Sequence, residues 1–173
     1  MALRLAVSHS TPGLTWRQPP GLDRFCSHLA TLLRSWEGTP YLPAQQMQGV
    51  GVDCVRFVCA IYDALLQRKR TAMPILPQDT ALHDRKKAIR AMRQIRRLYP
   101  EMAPVRNPRF VEPGDLLVVG ETTGGPGHAI LVGPERNTLW QTGTLGVYKG
   151  GFGLIDTSQQ LFRVYRLRDR ESI

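Results

Sequence analysis

The stretch GVGVDCVRFV, residues 49–58, decides the fold because a glycine loop passes here into an apolar helix. Asp53 is a residue type that caps helix N-termini. Apolar residues follow it at helical spacing: Val55, Val58, Ile61, Tyr62, Leu65 and Leu66. Because this predicted helix is apolar on most sides, we expect it at the centre of the core.

Cys54 falls in the first turn of this helix. A thiolate there meets unpaired backbone N–H groups and the positive end of the helix dipole, and both lower a cysteine pKa from roughly 8.5. The glycines just upstream let the backbone pass close to a substrate. Cys54 is therefore a candidate nucleophile, with a buried small apolar residue as the alternative. Cys59 and Cys26 lie at helical positions that favour the core.

Outward from this helix, the pattern predicts an α+β domain with helices first and strands second. A helix is predicted from Leu22 to Trp36, a loop over 38–52, and a third helix from His83 to Tyr99. After Pro104, short β-rich runs predict an antiparallel sheet: Leu116–Val119, His128–Val132, Thr138–Thr142, Leu145–Tyr148 and Leu161–Leu167. We expect an irregular N-terminal arm over 1–21, then one domain over 22–173 with a basic helical insertion at about 83–99.

His128 is the candidate base, because it follows a Gly-Gly-Pro-Gly loop and opens a predicted strand. Gln141 lies in the next strand. If a four-residue hairpin joins the two strands, Ile130 pairs with Gln141, whereas a shift of two residues pairs His128 with Gln141 directly. In either register Gln141 shares a face with His128, and its amide oxygen can orient the ring. A one-residue slip would move Gln141 to the other face. A surface histidine and a strand glutamine bound to backbone are the structural alternatives.

The composition is that of an ordinary globular protein: 173 residues, 42% apolar and 21% charged. Three scattered cysteines exclude a disulfide scaffold, no Cys-x-x-Cys pair offers a zinc site, and we expect no cofactor. No apolar stretch reaches the roughly 18 residues of a membrane span, so we expect no membrane insertion. No secretory signal is recognisable either, which predicts synthesis in the cytoplasm.

The net charge of +9 is concentrated in one segment, since residues 83–109 hold nine Lys/Arg and two acidic residues. This segment is either a docking surface for an anionic partner or the solvated face of an amphipathic helix. Tyr99 is the one aromatic residue of this segment, and the segment carries no recognisable nucleic-acid-binding motif. Both features argue against nucleic acid as the partner.

Four motifs occur in an order that resembles the NlpC family of papain-like cysteine peptidases, the bacterial cell-wall endopeptidases, and in particular their phage-tail members. They are Gly38–Tyr41, Gly49–Val58, Pro113–Leu117 and Gly127–Gly133. The resemblance covers roughly residues 25–145. It implies a papain-like domain in which the nucleophile helix packs on the antiparallel sheet.

The resemblance implies Cys54 as nucleophile, His128 as general base and acid, and Gln141 as the third member, a place often held by histidine. It implies Tyr41 as an oxyanion or substrate contact. The family usually reads Asp-Cys-Ser-Gly-Phe, so Arg56 is a departure. Arg56 could crowd the cleft or bind a substrate carboxylate, but a surface arginine that points away is the expectation we favour.

The implied activity is hydrolysis of peptidoglycan stem or cross-link peptides, typically between D-glutamyl and a diamino acid, through a thioester acyl-enzyme. The implied site of action is the cell wall, reached with a phage-tail-like machine or at lysis. Two alternatives stay open: a catalytically silent wall-binding or tail-assembly module, and a related thiol amidase or acyltransferase.

Overall fold

The computed structural model describes residues 13–43, 45–69, 95–121, 128–155 and 160–173. Its two long helices are α1 (Asp23–Trp36) and α2 (Cys54–Leu65), and residues 95–98 are helical as well. The helices predicted from Leu22 and after Asp53 are thus confirmed. Most of the predicted third helix and basic insertion lies outside the described residues, as does the start of the predicted arm.

The described residues form ten strands, six of which make one antiparallel sheet in the order β4-β10-β6-β7-β8-β9. This arrangement agrees with the predicted α+β class and with the predicted sheet. The strands are β1 (Thr15–Trp16), β2 (Gln46–Met47), β3 (Gly51–Val52), β4 (Met102–Pro104), β5 (Phe110–Val111), β6 (Leu116–Glu121), β7 (His128–Val132), β8 (Thr138–Gly143), β9 (Gly146–Gly151) and β10 (Gln160–Leu167).

The large sheet buries apolar side chains on both faces, as the alternation along its strands requires. Helices α1 and α2 pack against one face, where Ala129, Leu131 and Trp140 join their apolar side chains in a single core. The other face carries a second core built around Ile130 and Leu139. The sheet is therefore the middle layer of the described molecule, and α2 lies directly on β7 and β8.

A buried carboxylate–arginine cluster secures the turn that leads into β6. Asp115 is fully buried and accepts hydrogen bonds from Arg166 on β10, at 2.8 Å from Nε and 2.7 Å from Nη2. Glu112 contacts both Arg166 and Arg170. Gly114 has a φ of 79° and lies against Phe25 of α1, so a side chain there would be strained and would clash. The Pro113–Asp115 motif thus has a structural role.

Five short strands, β1 to β5, were not expected from the sequence, and three of them lie in the predicted loop and arm. The segment 38–52 holds a β2–β3 hairpin, with Gln46 paired to Val52, where a loop was predicted. Within the predicted irregular arm, Thr15 and Trp16 form β1 and pair in parallel with β5. These pairings are made by backbone groups, and two-residue strands are too short to show a side-chain period.

Candidate active site

Cys54 is the first residue of α2, and the cap before it is built by its neighbours. Asp53 is extended (φ −94°, ψ 169°), and its Oδ1 accepts the Arg56 backbone N–H at 2.8 Å. This contact satisfies one of the unpaired N–H groups that every helix leaves at its start. The predicted Asp53 cap is confirmed, and Cys54 lies in the first turn as expected.

His128 and Gln141 are in direct contact, with 3.0 Å between His128 Nε2 and Gln141 Oε1. Leu131 pairs with Trp140, and Val132 pairs with Leu139. Continued by one residue, this register places Ile130 opposite Gln141. The predicted four-residue hairpin and its register are therefore confirmed. Gln141 is 7% exposed, so this contact is largely shielded from competing water.

The chemistry of an amide fixes the tautomer of His128. Gln141 Oε1 can only accept, so His128 Nε2 must carry the hydrogen and donate it. A neutral imidazole has one N–H, which leaves the lone pair on Nδ1. His128 Nδ1 is therefore the nitrogen that can take a proton.

Cys54 reaches β7 through Ala129, the residue after His128. The Ala129 backbone N–H donates to the Cys54 thiol and lowers its pKa, as do the N–H groups of Val55 and Cys54 itself. Among the hydrogen bonds between described residues, none joins the Cys54 thiol to the His128 ring. The structure thus brings His128 and Gln141 into contact, and it places Cys54 against Ala129, the residue after His128 on β7.

Burial governs the protonation of both candidate catalytic groups. Burial, and to a smaller extent the nearby Asp53 charge, raise the pKa of Cys54 to about 12 against the lowering by the backbone N–H groups. The expected lowering by the helix N-terminus is present but smaller than this desolvation cost, so the expectation of a low pKa is wrong. Burial also lowers the pKa of His128 below 6.5, although the Gln141 hydrogen bond opposes this shift. At neutral pH the pair is a thiol and an uncharged imidazole.

Tyr41 lies in the loop beside Cys54 and is 43% exposed. Partial burial raises its pKa, with further contributions from the Cys54 and Asp53 charges, so its hydroxyl stays protonated and able to donate. Four more large apolar side chains are exposed in this region: Leu42, Met47, Val50 and Leu145. We call these five residues the apolar rim.

The apolar rim spans two segments that backbone hydrogen bonds hold together. The Gly38 N–H donates to Val147 O at 2.8 Å, and the Val147 N–H donates to Thr39 O at 2.8 Å. These contacts bring the 38–50 loop to the turn that carries Leu145. The rim residues thus lie on two adjoining segments, and Tyr41 among them lies near Cys54 at the start of α2.

Arg56 is 7% exposed, and its guanidinium forms an ion pair with Asp53 Oδ2. The expectation of a surface arginine that points away is therefore wrong. The Asp53 partner lies three residues earlier, and this spacing on one helix face was the signal that could have revealed it. Binding of a substrate carboxylate by Arg56 stays a prediction.

Cys59 and Cys26 are buried in the main core, as predicted. Sequence reasoning missed the contact of Ala129 with Cys54, because a backbone N–H leaves no trace in residue type. The described residues contain no group of three or more side chains placed to hold a metal ion. Within the same ranges, no helix is long and apolar enough to cross a membrane.

A scan against known protein-family models finds no match for this chain, and a search of curated proteins finds no relative. The described residues by themselves define the class as an α+β protein with a six-stranded antiparallel sheet. Its candidate site combines a cysteine at a helix start with a histidine–glutamine pair on the adjoining strands.

Proposed function

We propose that this protein is a papain-like cysteine hydrolase of the NlpC type that cleaves amide bonds in peptidoglycan stem or cross-link peptides. The observation that carries the proposal is the His128–Gln141 contact on the strand whose next residue, Ala129, bonds the Cys54 thiol. A nucleophile, a base and a group that orients the base are the three parts that covalent acyl transfer needs. The four motifs supply the substrate class.

In the proposed reaction, His128 Nδ1 takes the thiol proton as Cys54 Sγ attacks the amide carbonyl. The oxyanion accepts hydrogen bonds from the Cys54 backbone N–H and the Tyr41 hydroxyl. His128 then returns the proton to the leaving amine, and a thioester remains on Cys54. Water that His128 deprotonates hydrolyses the thioester and frees the thiol. Because both groups begin uncharged, the base is needed during attack, and substrate binding must bring the Cys54 thiol and the His128 ring into contact.

The direct test incubates the purified protein with muropeptides and follows the products by chromatography and mass spectrometry. Shorter stem peptides should accumulate, with the D-glutamyl–diamino acid bond as the expected position of cleavage. Cys54→Ala and His128→Ala should each lower turnover by about 10³-fold or more, as removal of a nucleophile or its base does elsewhere. Cys59→Ala is the matched control, because it removes a core thiol of the same helix, and it should retain turnover. Unchanged turnover in Cys54→Ala would contradict the mechanism.

The high pKa of the buried Cys54 thiol favours a second candidate, a catalytically silent wall-binding or tail-assembly module of the same fold. Such a module would bind purified peptidoglycan and release no peptide from it. A sedimentation assay with intact sacculi separates the two, since only the enzyme solubilises stem peptides. In either case we propose delivery by a phage-tail-like machine.

The apolar rim favours a third candidate, a thiol amidase or acyltransferase that acts on another acyl group. Exposed apolar patches commonly mark the surface where a ligand binds. The adduct on Cys54 distinguishes the candidates: mass spectrometry of trapped protein should show a peptidyl mass for the hydrolase and an unrelated acyl mass for this alternative.

A further inference from the structure

Arg56 is placed to act on the nucleophile through Asp53. Asp53 Oδ1 accepts the Arg56 backbone N–H at 2.8 Å, and its Oδ2 contacts the Arg56 guanidinium. One residue therefore binds both oxygens of the carboxylate that directly precedes Cys54. The side chains of Asp53 and Arg56 are 12% and 8% exposed, so the pair is shielded from solvent.

The charge of Asp53 is unfavourable at this place. A carboxylate beside a developing thiolate repels it, and water screens little of that repulsion in a buried site. An arginine on the carboxylate makes the pair neutral. Arg56 thereby removes the charge but keeps the oxygen atoms that cap α2.

We propose that Arg56 is a positioning residue that neutralises Asp53 and so permits thiolate formation at Cys54. This role deepens the proposed function, because it explains how a capping carboxylate can adjoin the nucleophile. It assigns the guanidinium to Asp53 in place of a substrate carboxylate. Arg56 touches no reacting atom in this role.

Other titratable groups near Cys54 are held constant in the test. Tyr41 faces the nucleophile from the 38–50 loop, and His128 precedes Ala129 on β7. Neither residue is changed in any variant below. A difference in Cys54 reactivity among the variants therefore reports on Asp53 and Arg56.

The experiment measures the rate at which iodoacetamide alkylates Cys54 between pH 7 and 10, with peptide mapping to separate Cys54 from Cys26 and Cys59. Asp53→Asn keeps a capping side chain and removes the negative charge that the Arg56 guanidinium contacts. It should accelerate alkylation about tenfold, because one pKa unit is a tenfold change in thiolate. Arg56→Met should slow alkylation by a similar factor, and Arg56→Lys should restore the rate to within about threefold.

The double variant Asp53→Asn/Arg56→Met removes both charges and should react at close to the wild-type rate. The matched control is Arg68→Met, which breaks an arginine–carboxylate contact with Glu101 beyond the other end of α2. It should leave Cys54 alkylation unchanged.

If Asp53→Asn slows alkylation or leaves it unchanged, the proposal is overturned, even if Arg56→Met fails to fold. It is equally overturned if Arg56→Met slows the reaction as much in the Asp53→Asn background as in the wild type. Because the readout is alkylation, a protein that hydrolyses no peptide can still confirm the role of Arg56. If the protein hydrolyses peptide but substitution of Arg56 leaves the alkylation rate of Cys54 unchanged, this inference is overturned and the proposed function is not.

Discussion

At the scale of single residues, the hydrogen bond between His128 and Gln141 controls the proton affinity of the base. Gln141 Oε1 accepts from Nε2, and this contact raises the His128 pKa against the larger, opposing effect of burial. Loss of the acceptor removes a favourable contribution to the charged ring. Gln141 on β8 thus affects the pKa of His128, the proposed catalytic base.

Replacement of Gln141 by Leu should lower the His128 pKa further, because the hydrogen bond that favours the charged ring is lost. Titration of the ring protons by NMR measures the shift. Gln18→Leu, at an exposed position, should leave it unchanged. An unchanged His128 titration in Gln141→Leu would show that the contact is not made in solution.

The lowered pKa of His128 also makes the stability of the fold depend on pH. The folded pKa lies below the unfolded value of 6.5, so the unfolded chain binds the proton more readily. The stabilisation from the neutral ring is fully present above pH 6.5 and is lost as the pH falls toward the folded pKa. The acidic limb of the proposed activity should lie below pH 6.5 for the same reason, in a profile of kcat/KM against pH.

At the scale of elements, the carboxylate–arginine cluster joins β10 to the turn before β6. Arg166→Met should lower the free energy of unfolding by about 3 kcal/mol, because it leaves the buried Asp115 charge with less compensation. Urea denaturation followed by circular dichroism measures the loss. Arg163→Met, at an exposed position on the same strand, should change the free energy by under about 0.5 kcal/mol. Equal effects of the two variants would contradict the structural role of the cluster.

The long elements could be predicted because their side chains carry a period. Leu29 and Leu33 mark the apolar face of α1, and His128–Val132 has the length and residue types of a strand. The His128–Gln141 contact could be predicted because both hairpin registers compatible with the loop place the two side chains on one face of the sheet. The burial of Arg56 could not be predicted in the same way. The spacing of apolar residues shows which face of a helix is buried, but it does not show that a charged residue on the helix has an ion-pair partner.

At the scale of the whole molecule, buried acidic groups make the folded state sensitive to alkali. Burial raises the pKa values of both Cys54 and Cys59 from 9.0 to about 12. Each thiol therefore stabilises the fold fully below pH 9, and this stabilisation is lost as the pH rises toward 12. Tyr62 and Tyr99, whose pKa values burial also raises, add to the loss above pH 10.

Between pH 9 and 10.5, the free energy of unfolding should fall with pH by up to about 1.4 kcal/mol per unit for each buried thiol. Cys59→Ala should reduce this slope by one such contribution, whatever its effect on stability at neutral pH. Urea unfolding at several pH values gives the slope, and Cys26→Ala at the edge of the core serves as a comparison. A slope that Cys59→Ala leaves unchanged would contradict the assignment.

The loop that carries most of the apolar rim is fastened to β9 by main-chain atoms of Gly38, Thr39 and Val147. Such fastening does not depend on the side chains between residues 40 and 50, so their identities can drift without loosening the attachment. Apart from the Tyr41 hydroxyl, the groups proposed for bond cleavage lie on α2, β7 and β8, outside that stretch. Recognition and chemistry can therefore diverge separately, and grafting a foreign 42–50 segment, which leaves Tyr41 in place, is a direct route to a new substrate preference with the same cleavage machinery.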